Sequence, residues 1–125
     1  MKTQKYVLDA IYALLPATIG DVFLYTTRDG YTADKFTVVN TLGIPVDPIQ
    51  TVVINVNCYA KDLNPSKGIP DLSTLDDMAL AVINELHDYN NDVFDIEYEM
   101  MNVIREEALQ MHFINLRFRL IFLNN

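Results

Sequence analysis

The sequence predicts an α+β fold, in which an antiparallel sheet carries two helices packed on one of its faces. Three observations predict it. Two segments repeat apolar residues at helical spacing, others alternate with a period of two, and the last third holds two long alternating runs of opposite charge. The order helix, hairpin, strand, helix, hairpin demands no parallel crossover. No boundary or repeat divides residues 1–125, so one domain with a single core is expected.

Residues Thr3 to Leu15 place Val7, Leu8, Ile11, Leu14 and Leu15 on one helical face. Pro16 stops this helix, because proline lacks the amide hydrogen and drives Leu15 out of the α region. After a loop through Gly20, Asp21–Thr27 reads as a strand around Val22-Phe23-Leu24-Tyr25. Asp29-Gly30 is a hairpin signal, since a tight primed turn needs positive φ at both central residues. Its return arm runs from Tyr31 to about Asn40. Gly43, Pro45 and Pro48 then make Thr41–Gln50 an exposed loop.

Thr51–Tyr59 is a clear strand, with Val52, Ile54, Val56 and Cys58 on one face. Asn64-Pro65, Gly68 and Pro70 mark Lys61–Pro70 as a second loop. The next helix starts at Ser73-Thr74-Leu75-Asp76, which matches a capping box, with Asp76 and Asp77 suited to the positive end of the helix. Leu72, Leu75, Ala79, Val82, Ile83 and Leu86 form its apolar stripe, and Asn90-Asn91 ends it.

The final strand pair alternates throughout. Phe94, Ile96, Tyr98 and Met100 point one way, and Asp95, Glu97 and Glu99 the other. Ile114, Leu116, Phe118, Leu120 and Phe122 share the apolar face, with Asn115, Arg117 and Arg119 opposite. A turn centred near Glu107 sets Asp95 across from Arg119 and Glu97 across from Arg117. The result is one buried face and one charged face.

Composition narrows the function. The chain has 17 acids against 9 bases, a formal charge of −8, which repels phosphate and disfavours a conventional nucleic-acid module. No run approaches the ~18 apolar residues of a membrane span, and no signal peptide is visible, so synthesis in the cytoplasm is expected. A single cysteine, Cys58, excludes an internal disulfide and a cysteine-based zinc cage.

The candidate chemistry is weak. Asp88 to Glu99 superficially follows a calcium loop, but its sixth position is Val93 where glycine is needed, and a strand follows where a helix should. Cys58 with His87 or His112 lacks the electropositive, open setting of a nucleophile. Asp95, Glu97 and Glu99 lie about 6–7 Å apart along a strand, too far to share one ion unaided. No Gly-rich phosphate loop, HExxH or Ser-centred elbow occurs. No cofactor is expected. The remaining reading of the charged row is a solvated face or a contact with a neighbouring subunit.

The strand Thr51–Tyr59, the loop with Pro65, Gly68 and Pro70, the acid-capped helix Asp71–His87 and the hairpin ending in Phe118-Arg-Leu-Ile-Phe122 carry a resemblance. Together with the N-terminal helix, they make the chain similar to the small tail-terminator (tail-completion, or neck) proteins of long-tailed bacteriophages. Asp21–Gln50 has no counterpart in that pattern. The resemblance implies a virion structural protein, not an enzyme. It implies a ring, usually a hexamer, that caps the tail tube and joins it to the head connector, while DNA passes without specific binding. Asp95, Glu97, Glu99, Arg117 and Arg119 are then candidates for the subunit interface or lumen. Pro45, Asp47, Pro48, Asn64, Pro65 and Lys67 are candidates for loops reaching the tail-tube protein or the connector. A head–tail stopper or other connector component, and a small cytoplasmic ligand-binding domain, are the alternative readings.

Overall fold

The computed structural model describes residues 3–26, 31–42 and 50–123. Helix α1 spans Gln4–Leu14. Thr3 caps it by accepting the Tyr6 amide on its hydroxyl, and Leu15 ends it in extended backbone before Pro16. A 3-10 turn, Ala17–Ile19, leads to Gly20 at φ 78°, where a Cβ would lie 2.7 Å from the Lys35 carbonyl oxygen. Only glycine allows that approach.

Five strands follow: β1 (Asp21–Leu24), β2 (Lys35–Thr41), β3 (Thr51–Lys61), β4 (Phe94–Glu106) and β5 (Met111–Phe122). Helix α2 (Leu72–Leu86) lies between β3 and β4 in sequence. The sheet order is β1-β2-β3-β5-β4, and every neighbouring pair is antiparallel except the first. The fold is α+β, with both helices packed on one face.

The exception corrects the sequence reading. β1 and β2 run parallel, with Asp21 beside Phe36 and Leu24 beside Val39, so they are not the arms of a hairpin. β1 ends at Leu24, where Tyr25 turns to φ 82° and its amide donates to the Val39 carbonyl at 2.7 Å. β2 therefore starts beside the start of β1, with Lys35 preceding the Asp21–Phe36 pair. The Asp29-Gly30 signal lies outside the described residues. A turn signal is local, and it cannot say whether the arms beside it pair with each other.

Alternation within the strands fills the core. Val52, Ile54, Val56 and Cys58 of β3 and Ile114, Leu116, Phe118, Leu120 and Phe122 of β5 are buried facing the helices. Val7, Leu8 and Ile11 of α1 meet them from above, as do Leu75, Met78, Ala79, Val82 and Leu86 of α2. Fully burying one such side chain is worth about 1.5–3 kcal/mol. The cap of α2 is Asp71, whose carboxylate accepts the Thr74 amide at 3.1 Å and its hydroxyl at 2.7 Å. The helix therefore begins earlier than the Ser73 box suggests, and Leu72, expected inside, is exposed.

The long hairpin departs from the expected register in two ways. Its turn is the 3-10 segment Glu107–Leu109 followed by Gln110 in the left-handed region, one residue beyond the expected centre. Each partner therefore moves by two positions, so Asp95 faces Ile121 and Glu97 faces Arg119. A shift of two preserves the faces. Then a bulge between Tyr98 and Met100 inserts Glu99 as an extra residue. A shift of one exchanges the faces. Met100, Asn102 and Ile104 now lie on the outer side with Arg117, Asn115 and Phe113, and Met101 and Val103 on the helix side with Leu116 and Ile114. Met100 is not the core residue that simple alternation implies.

Candidate functional site

The outer face of the sheet, away from the helices, divides into three regions. Nearest the free end of β4 lie the predicted charges. Arg119 Nε donates to Glu99 Oε1 at 3.0 Å, and Arg117 Nε donates to Asn55 Oδ1 at 3.4 Å. Asp95, Glu97, Glu99, Arg117 and Arg119 are thus brought to one face, with different partners from those expected. Exposed pairs of this kind contribute about 0–1 kcal/mol. Within this row Arg119 and Glu99 form the ion pair, while Arg117 is held by a neutral amide.

The middle of the face is an amide ladder. Asn55 donates to Asn40 at 3.1 Å, and Asn115 donates to Asn57 at 2.6 Å and to Asn55 at 3.2 Å. Because these residues face one another across β2, β3 and β5, the polar groups of a half-buried surface satisfy each other.

The third region is aromatic. Phe23, Tyr31, Phe36, Tyr59 and Phe113 form a continuous row, with Phe36 stacked on Tyr59 at 4.6 Å and Tyr59 on Phe113 at 4.7 Å between centroids. Tyr59 lies stacked between Phe36 and Phe113, while Phe23, Tyr31 and Phe36 meet edge to face. Burial, and secondarily the charge of Glu106, raises the Tyr59 phenol above its ordinary pKa. The hollow between Tyr25, Phe36, Val38, Asn40, Asn57 and Tyr59 holds about 140 Å³, and a second between Tyr31, Asp34, Phe36, Lys61, Leu109 and Met111 about 360 Å³.

On the helix side, a cluster that the sequence pattern did not reveal ties loop to hairpin. Asp62 is buried, and His112 Nδ1 donates to its Oδ1 at 2.7 Å. Arg105 Nε stands 3.8 Å from Oδ2, which has no hydrogen-bond donor. Arg105 also reaches the Pro65 carbonyl at 3.4 Å and crosses over Gly68, where a Cβ would come within 2.8 Å of the guanidinium carbon. An acid at the end of a strand looks like solvated loop in one dimension. Only the β3–β5 pairing brings it to His112.

The same cluster fixes the predicted axial loop. Asn64 and Ile69 form a β-bridge, and the Asn64 side chain accepts from the Lys67 amide and the Ser66 hydroxyl. Asn64, Pro65 and Lys67 therefore lie in a folded loop against the hairpin. Pro45, Asp47 and Pro48 lie outside the described residues.

Cys58 is buried, and desolvation pushes its thiol from 9.0 up to about 12 despite a hydrogen bond with Thr37, so it is a neutral core side chain rather than a nucleophile. Among the described residues no group of three His, Cys, Asp or Glu could hold a metal ion. Among them, too, no helix is long and apolar enough to cross a membrane.

What the described surface does offer is apolar. The outer half of the β4–β5 hairpin exposes Met100, Met101, Val103, Ile104 and Leu109, each between 39% and 52% accessible. β4 is also the edge of the sheet. No protein-family model matches this chain, and no curated protein matches it.

Proposed function

We propose that the chain is a virion structural protein of the tail-terminator kind, working by assembly into a ring at the end of a phage tail. The observation that carries this reading is the exposed apolar half of the β4–β5 hairpin. Large apolar groups gathered on an unpaired sheet edge are an interaction surface, and one that a monomeric protein would ordinarily blunt. The outer sheet face supports the same reading from the other side, since its amides bond one another and Arg119 pairs with Glu99.

The resemblance supplies the identity of the assembly: a ring, hexameric in that family, between the tail-tube protein and the head connector. The charge of −8 suits a passage that DNA must cross without sticking. Negative-stain imaging of the purified protein, alone and with tail tubes, tests the proposal. Rings, alone or seated on tube ends, are expected. A protein that stays monomeric and leaves tube ends bare would overturn it.

A further inference from the structure

We infer that β4 pairs with β4 of a second copy of this chain, antiparallel about a two-fold axis at Asn102, to make one sheet continuous across two molecules. The inference deepens the assembly reading and rests on its premise that copies of the chain meet.

The first argument is the edge itself. Among the described residues β4 has β5 on one side; on the other, Tyr89 and Asn91 hydrogen-bond Ile96 and Phe94 at its start, and beyond them runs a row of backbone donors and acceptors. Its first half is defended in the usual ways, by the acids Asp95, Glu97 and Glu99 and by the bulge at Glu99. Its second half is not. Met100 to Ile104 carries no charge, extends in regular pairing with β5, and exposes large apolar side chains on both faces. This is where a further strand can add.

The occupant is a second copy of the same segment. About Asn102 the segment is close to a palindrome in character. Antiparallel overlap centred there sets Met101 beside Val103 of the other copy on the helix side, and Met100 beside Ile104 on the outer side, each contact occurring twice. Asn102 meets its own counterpart, extending the amide ladder of Asn40, Asn55 and Asn115. Parallel, in-register overlap would set like beside like. The bulge ends regular pairing at Met100, and β4 itself ends at Glu106. α2 covers Ile96 and Phe94 in the first half of β4, and the antiparallel arrangement carries the other copy's helical layer past the hairpin tip rather than onto it.

A two-fold contact is isologous, so residue 102 meets residue 102. Alone it gives a dimer; repeated around a ring axis it gives two rings back to back.

The test follows from that identity. Asn102→Cys should form a reducible covalent dimer under mild oxidation, since directly opposed strand residues lie within disulfide reach. Glu106→Cys, four residues from the axis, should not. Cys58 is buried and does not confuse the result. Val103→Lys, on an exposed position, should keep its far-ultraviolet circular dichroism and elute at a smaller native mass than the unaltered chain. Rings or larger particles with no Asn102→Cys cross-link would overturn the two-fold contact and leave the assembly reading standing. A monomer at every concentration would overturn both.

Discussion

Asp62, His112 and Arg105 come from three segments, and their contact fastens the loop after β3 to the end of the hairpin. Removing the imidazole leaves a buried carboxylate with only a 3.8 Å guanidinium to offset it, so His112→Ala should cost about 3–5 kcal/mol in urea unfolding. Gly20 is a second single-residue constraint. Its positive φ and its approach to the Lys35 carbonyl mean that Gly20→Ala should destabilise by about 1–3 kcal/mol, read as a lowered melting temperature. At Cys58, burial holds the thiol neutral far above neutral pH, so an alkylating reagent at pH 8 should label the chain only as it unfolds. The unfolded thiol ionises near 9.0 and the folded one at about 12; this contribution to stability is therefore complete below pH 9 and is lost as pH rises toward 12. Prompt labelling of the native protein would contradict the packing. The place of Cys58 was readable from its apolar neighbours two residues apart. That of Asp62 was not, because nothing in the sequence near it speaks of His112.

Individual elements show which signals travel along a chain and which need the third dimension. Both helices, β3 and the two long strands follow from periodicity alone, because each buries one face and leaves the other in water. The strand partners do not. β1 and β2 run in the same direction, and a turn dipeptide carries no information about which way the strands beside it point. The bulge at Glu99 is equally silent, since one inserted residue leaves the alternation of Asp95 to Met100 unbroken in sequence while reversing every face beyond it. This has a measurable consequence. Phe118→Ala should cost about 3–5 kcal/mol and Leu116→Ala about 2–5, whereas Met100→Ala should change the unfolding free energy by no more than about 0.5. A large loss at Met100 would mean that β4 runs without its bulge. The charged row was legible as a set of residues on one face, and its pairings were not, because they depend on where the turn closes.

For the whole molecule, an α+β core supports an outer face with an internally bonded amide ladder and a hairpin that extends an apolar edge. On the proposed reading, copies of the chain cover that edge. Its thermal stability should therefore rise with its own concentration, by mass action on the assembled state. A small-molecule binder would instead hold one melting temperature across dilution and respond to a metabolite. The most direct test of the central claim, that this chain acts by joining copies of itself, is its native mass by multi-angle light scattering over a wide concentration range. The account predicts species at multiples of 14.3 kDa that grow with concentration. A constant mass of 14.3 kDa up to the highest concentration would contradict it.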